Sequence, residues 1–425
     1  MMKVNQLPLF MLLVSFFVFL LIPTFSFPEE KVLGEDLKGI LEYARKENPE
    51  IRAYRERVNS FEAKARYAGM LDDPTLKVEF EDIPKENPFP INSKAEITRY
   101  TITQMFPFPG KLGLMEKMAK KESLMTGEEL REKENEIFTM VKMAYFEYYY
   151  ISRAIGIMRE VKDIISNMEK IAGIRYSTGL VPQQDLIKAQ VEISMITNEL
   201  IAMESEKRIL QSRLNTLLNR PIKDYLADPK KLDFKMTIPE VNELSWKALG
   251  RNPMIRAMEY NIEARDADRD LAKRNFFPDF MLGVAPVMKM ERFSSWDFMV
   301  SLNIPLWWKK YDYRLNEAKA NLNSSKARLE GIKNQVSFEI SQAYIKIETS
   351  KRVIELYETG ILPQTRLSFE SALINYQTGK VDFLTLLENQ RSLKKTMLEH
   401  LRVLVDYRVR MAELEKMVGE DIIDN

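Results

Sequence analysis

Two stretches of near-identical sequence, Tyr176-Ser177-Thr178-Gly179-Leu180-Val181 and Tyr376-Gln377-Thr378-Gly379-Lys380-Val381, organise the chain. The first runs on to Leu186 and Gln190, the second to Leu386 and Gln390, so Tyr, Thr, Gly, Val, Leu and Gln recur at one offset (376 − 176 = 200). Each stretch interrupts a long helical pattern at a glycine, and helical periodicity resumes just after it. A glycine past a helix end supplies the left-handed conformation that closes the helix. Each stretch is therefore expected to be the tip of a long helical hairpin, and two such hairpins imply an internal duplication.

A second set of matches marks where each half begins. Ala44, Asn48-Pro49, Ile51, Ala53, Ala63 and Pro74 recur as Ala248, Asn252-Pro253, Ile255, Ala257, Ala267 and Pro278, again at one offset (253 − 49 = 204). In the first half, Leu37, Ile40, Leu41 and Ala44 share a face of a short helix from Glu35 to Glu47, and a second helix runs from Ile51 to Met70. The period then changes: Leu76, Val78 and Phe80 alternate with Lys77, Glu79 and Glu81, as in a half-buried strand. Three prolines from Pro84 to Pro90 make a loop, and alternation returns from Thr98 to Phe106 before Pro107-Phe108-Pro109-Gly110.

From Lys111 to Tyr176 the chain is proline-free and rich in Glu, Lys, Met, Leu and Ala. Roughly 65 residues at 1.5 Å each make about 100 Å of helix, and a helix so long is stable only against partners. Pro182 sits at the next helix start, where proline is tolerated, and Pro221 stops that helix after about Asn219. In the second half, strands are expected over Phe280 to Met290 and Trp296 to Ile304, then one unbroken helix from Asp312 to Tyr376 and its partner from Asp382 to Val418. The organisation expected is a signal peptide over residues 1–27, a first repeat over 28–240 (strand pair 75–106, long hairpin 111–220) and a second over 241–425 (strand pair 279–305, long hairpin 310–418).

Composition narrows the classes. The 425 residues carry a net charge of +1, so there is no nucleic-acid footprint and no nucleic-acid partner is expected. The absence of cysteine excludes disulfides, thiolate metal sites, cysteine nucleophiles and lipidation on an N-terminal cysteine. The single histidine, His400, excludes a histidine metal cluster within one chain; it lies mid-helix and is given no role. No P-loop or glycine-rich phosphate cradle occurs, no nucleophile–base pair is visible, and neither a cofactor nor enzymatic activity is expected. Lys3 followed by the apolar run from Leu7 to Ile22 and by Pro23 to Pro28 is read as a secretory signal peptide; a single membrane anchor is the other reading.

The four strands pose a physical problem. Each has one apolar and one polar face, and no amphipathic element is left to cover the apolar one. Closure into a membrane barrel answers this, because lipid meets one face, a lumen the other, and no edge remains. Four strands are too few to close alone, so several chains must contribute. Leu76, Val78, Phe80, Trp296, Phe298, Val300 and Leu302 are then lipid-facing, with Trp296, Trp307 and Trp308 near strand ends, where an aromatic girdle sits. A soluble β-layer packed on the helices is the alternative.

The duplicated plan, the recurring Asn-Pro-x-Ile-x-Ala, the stretch Gln104-Met105-Phe106-Pro107-Phe108-Pro109-Gly110-Lys111 and the two Tyr-x-x-Gly tips together resemble the TolC-like outer membrane efflux proteins, over essentially the whole mature chain. The resemblance implies a mainly α fold with a membrane β-barrel portion: a homotrimer in the bacterial outer membrane, four strands per protomer in a shared barrel, and duplicated helical hairpins forming a tunnel across the periplasm. It implies as partners a periplasmic adaptor and an inner-membrane pump of the resistance-nodulation-division type. The Phe-Pro-Gly-Lys stretch is similar to the heavy-metal and cation efflux branch, so metal cations are candidate cargo.

By the same resemblance Asp185 and Tyr376 match positions that link neighbouring hairpins and hold the periplasmic aperture shut, a role that a phenol–carboxylate bond suits. A family arginine that shares this latch corresponds to Val381 here, so the latch is weaker or built differently. Thr385 and Glu388 match two positions of acidic rings, and only Glu388 is acidic. Thr178, Gly179, Leu180 and Val181, with Thr378, Gly379, Lys380 and Val381, are the expected adaptor-docking tips. Asp185 can equally stabilise a helix first turn. Met115, Met118, Met140, Met143, Met158 and Met168 could ligate Cu(I) but are spaced for core filling, and the run from Tyr145 to Tyr150 is expected to pack between helices. The competing class is a periplasmic adaptor or structural coiled-coil protein without a pore, which carries one hairpin flanked by small β-domains rather than two in tandem.

Overall fold

A computed structural model describes residues 33–232 and 236–422; the expected signal peptide lies outside the described residues. Helix α1 (Leu37–Glu47) starts at Asp36, whose carboxylate accepts from the Gly39 amide at 2.7 Å, and buries Leu37, Ile40 and Ala44. Asn48 ends α1 and begins α2 (Pro49–Tyr67). Its Oδ1 accepts from the amides of Glu50 and Ile51 at 2.9 and 3.2 Å, capping a helix whose first residue is proline. Helix α2 stops three residues short of Met70, in a turn in which the Met70 amide donates to the Tyr67 carbonyl. Strand β1 (Thr75–Glu81), the one-turn helix α3 (Ile91–Lys94) and strand β2 (Ile97–Phe106) come next. The 67-residue α4 (Lys111–Ser177) and α5 (Gln183–Leu217) form the first hairpin.

The second half repeats this order: α6 (Val241–Arg251), α7 (Pro253–Arg274), β3 (Phe280–Lys289), β4 (Arg292–Leu302), α8 (Trp308–Leu356), α9 (Leu362–Gln377) and α10 (Phe383–Val418). Two expectations are corrected here. The helix expected unbroken from Asp312 to Tyr376 starts at Trp308 and is interrupted by a π-helical turn, Tyr357–Ile361, where the Leu362 amide bonds to the Tyr357 carbonyl five residues back. Pro363 is the cause: it has no N–H to donate, its ring clashes with the carbonyl four residues earlier, and a widened turn absorbs both. Strand β4 begins at Arg292 rather than Trp296, because Met290 and Glu291 take positive φ (47° and 63°) and close a tight hairpin without any Gly or Asn signal.

The four strands form one antiparallel sheet in the order β1-β2-β3-β4, so β1 and β4 are its edges. Register rows such as Leu76↔Ile102, Ile102↔Val284 and Val284↔Phe298 bring large apolar side chains from all four strands onto one face. That face is bare: Leu76, Phe298, Val300 and Leu302 are exposed, Phe298 by 81%. On the opposite face Arg99 pairs with Glu81 and reaches Asp297 at 3.0 Å, and Lys77 pairs with Glu79 at 2.5 Å.

The core lies in the helices instead. Along α4, Val141, Ala144, Tyr145, Tyr148, Met158, Ile165 and Met168 are buried, packed against α5 and α10. Met158 and Met168 thus fill core as expected, whereas Met115 is exposed. The aromatic run packs too. The Tyr145 hydroxyl donates to the Glu35 carbonyl at 3.1 Å, and the Tyr148 hydroxyl contacts the Leu226 carbonyl and Asp228 at 3.2 and 3.1 Å. The Tyr148 bonds tie residues 226–228 to the middle of α4, and the Tyr145 bond ties the segment before α1 to it.

At the junction of sheet and helices, the Phe-Pro-Phe-Pro-Gly-Lys stretch meets the start of β3. Lys111 Nζ donates to Asp279 Oδ1 at 2.8 Å, and the same oxygen accepts from the Phe108 amide at 2.6 Å. Phe108 stacks on Phe277 at 4.5 Å, and Arg274 donates to the Pro109 carbonyl at 2.9 Å. Lys111, which sequence reasoning left without chemistry, locks the two repeats together there; Lys309 and Lys310 stay exposed.

Candidate functional site at the hairpin tips

Both tips close by the same bonds. The Gly179 amide bonds to the Tyr176 carbonyl and the Leu180 amide to that of Arg175; in the second tip Gly379 bonds to Tyr376 and Lys380 to Asn375. Gly179 and Gly379 hold φ of +72° and +77°, which a side chain would strain. Thr178 and Thr378 donate their hydroxyls back to helix-end carbonyls, so their polar atoms are spent on the turn. Of the eight tip residues, Leu180 and Lys380 present exposed side chains outward, while Val181 and Val381 are half-buried.

The tips differ in how the next helix starts. Asp382 caps α10 through the Thr385 amide at 2.9 Å, whereas α5 begins after Pro182 with no side-chain cap. Asp185, in the first turn of α5, is therefore free to reach across to the second hairpin. Its Oδ2 accepts from the Tyr376 hydroxyl at 3.3 Å. Tyr376 is 1% exposed, with the Phe383 ring edge-on at 5.5 Å. Burial first, and then the Asp185 carboxylate, push the Tyr376 phenol up to about 12, with Arg175 opposing. The matching residues Tyr176 and Thr385 stand outside this bond, and Tyr176 is exposed. The bond between hairpins is thus made once in the chain despite the duplication.

Below it α5 and α10 carry charged pairs at heptad spacing. Asp185, Glu192 and Glu199 recur every seventh residue of α5. Glu192, itself 3% exposed, pairs with Arg391 at 2.5 Å, and Glu199 with Lys394 at 3.2 Å. Further down, Arg402 donates to both carboxylate oxygens of Glu147 and lies 3.7 Å over the Tyr150 ring. Glu388 and Thr385 are exposed on the first turns of α10. The charged ladder and Arg175 were missed in sequence. The period of seven in α5 was a readable signal for the ladder, and the mismatch Arg175/Asn375 between otherwise similar tips was one for the arginine.

The outer membrane efflux protein family model matches residues 40–220 and again 244–420. The chain belongs to the outer membrane efflux protein family. Its relatives include the cobalt-zinc-cadmium resistance protein CzcC of Cupriavidus metallidurans, 21% identical over 92% of each chain. Its fold is similar to that of CusC, with a TM-score of 0.79 at 19% identity over 90% of this chain and 92% of that one. It also resembles the outer membrane protein VceC of Vibrio cholerae, with a TM-score of 0.76 at 17% identity over 91% and 97%. As an outer membrane efflux protein the chain is a channel component of mainly helical fold with a small four-stranded sheet. Within that fold, the expected lipid-facing residues of β1 and β4 share the one apolar face, and two of the four expected aperture residues, Asp185 and Tyr376, are brought into contact.

Proposed function

We propose that three copies of this efflux protein set their sheets edge to edge, β4 of one against β1 of the next, and close a barrel in the outer membrane. The observation that carries this is the sheet itself, which leaves both edge strands unpaired and most of its apolar face exposed, from Leu76 and Ile102 to Phe298 and Val300. Transferring each large apolar side chain out of water is worth about 1.5–3 kcal/mol, and pairing the edges satisfies backbone groups that lipid cannot. The opposite face, with Arg99, Glu81 and Asp297, then lines the lumen. The two hairpins of each protomer continue it as a tunnel across the periplasm.

The conduit is passive. An inner-membrane pump of the resistance-nodulation-division type drives export through a periplasmic adaptor, which engages the tips at Thr178 to Val181 and Thr378 to Val381, chiefly at Leu180 and Lys380. At rest the Tyr376–Asp185 bond holds the two hairpins of a protomer together and the aperture narrow. Metal cations are the cargo, a reading supported by the cobalt-zinc-cadmium resistance of the relative CzcC. Three Glu388 carboxylates around the axis attract cations to the narrow end.

The test is single-channel recording of the purified trimer in a planar bilayer, with Glu388→Ala and Asp185→Ala beside the parent. Small cation-selective currents are expected, losing selectivity in the first variant and growing in the second. Trimers that insert but carry no current, parent and variants alike, would sink the pore and favour a structural coiled-coil protein.

A further inference from the structure

Arg175 lies in the last turn of α4, in the first hairpin, yet its guanidinium serves the second. Its carbon sits 4.9 Å from the centroid of the Tyr376 ring. The guanidinium also packs on the backbone of the second tip: a Cβ added at Gly379 would come within 3.3 Å of Arg175 Nη2. Two of its nitrogens, Nε and Nη1, are buried and make no hydrogen bond among the described residues. Buried donors without partners are rare because each carries a desolvation cost, and a side chain chosen for stability alone would avoid it. A cation at a helix C-terminus is favoured by the helix dipole, but that interaction does not require the guanidinium to be drawn under the neighbouring tip.

We infer that Arg175 is a positioning residue of the latch: lying over the Tyr376 ring, it orients the phenol toward Asp185 and brings a positive charge of the first hairpin against the second. The inference rests on the gated reading above. It gives the latch three members on three helices, Arg175 on α4, Asp185 on α5 and Tyr376 on α9. A cation over an aromatic ring attracts through the ring's quadrupole, and the attraction strengthens as water is excluded.

The experiment is a double-mutant cycle read as open-state occupancy in single-channel records, on trimers first shown to migrate intact. Arg175→Ala is expected to lower the closed-to-open ratio by about 3- to 30-fold, and Arg175→Lys, which keeps a cation, to recover most of it. In a Tyr376→Leu background, which lacks both the ring and the phenol, Arg175→Ala is expected to change the ratio less than about twofold, since coupled residues are not additive. If Asp185→Ala opens the channel and Arg175→Ala does not, Arg175 has no part in the latch and the inference fails while the gate stands. Equal effects of Arg175→Ala in both backgrounds would overturn it too, because the arginine would then act independently of the phenol. If neither Asp185→Ala nor Arg175→Ala changes a conducting trimer, the gated reading itself falls.

Discussion

At the scale of single residues, the tip turns on one phenol. A tyrosine released into water titrates near its ordinary value of about 10, whereas where the two tips meet burial and the Asp185 carboxylate hold Tyr376 up to about 12. The joined tips therefore favour the protonated phenol, which is also the donor of the bond to Asp185, the latch of the proposed gate. Its contribution is fully present below about pH 10 and is lost as pH rises through about 12. Open-state occupancy is expected to climb over that alkaline window in the parent and to stay flat there in Tyr376→Phe; a parent that is equally closed from pH 8 to 12 would contradict the bond. That Asp185 and Tyr376 would meet was legible through the family pattern. That Arg175 would join them was not, because a cation–π contact between residues 201 positions apart (376 − 175) leaves no periodicity behind it.

At the scale of elements, the repeated Asn-Pro shows what a motif can and cannot say. The pairing of Asn with Pro and a following apolar run announced a helix boundary, and both boundaries stand where Asn48 and Asn252 place them. The motif could not disclose its second job. Asn48 Nδ2 donates to the Leu217 carbonyl at 2.8 Å, and Asn252 Nδ2 to the Met417 carbonyl at 2.8 Å. Each amide thus caps one helix at its start while satisfying a carbonyl at the end of a long hairpin, α5 in one half and α10 in the other. Substituting Asp for the buried Asn48 keeps the cap but deletes the donor, leaving a carboxylate against the Leu217 carbonyl; Ala deletes both functions. Both variants are expected to lose about 1–3 kcal/mol, read as a lower denaturant midpoint for the helical portion, and Asn48→Asp is expected to lose at least as much as Asn48→Ala. A midpoint unchanged in Asn48→Asp would mean that the carbonyl contact contributes nothing. The π turn beside Pro363 taught the converse. A helical period carried straight through a proline in sequence, and only the geometry of the missing N–H reveals where the helix must widen.

At the scale of the whole molecule, the sheet decides between a channel component that spans the outer membrane and a helical protein with a decorative β-layer. Alternation in β1 and β4 was legible because the period of two is local. The register that brings all four strands onto one apolar face was not, since it hinges on the pairing of β2 with β3, segments 182 positions apart at Ile102 opposite Val284 (284 − 102). That register makes opposite predictions for two nearby positions of one strand. Phe298 stands mid-strand on the apolar face, and Ser295 on the polar one. In a barrel, a lysine at Phe298 meets hydrocarbon and costs about 2–4 kcal/mol per chain near the midplane, three times over in a trimer; a lysine at Ser295 meets the lumen and costs little. Phe298→Lys is therefore expected to abolish the heat-resistant trimer and its recovery from the outer membrane fraction, with Ser295→Lys assembling as the parent does. If the sheet were instead covered by protein in solution, Phe298→Lys would leave a soluble, folded chain that needs no detergent. Equal assembly of the two lysine variants would show that the apolar face never meets lipid, and the edges of β1 and β4 would then need some other partner than a neighbouring copy.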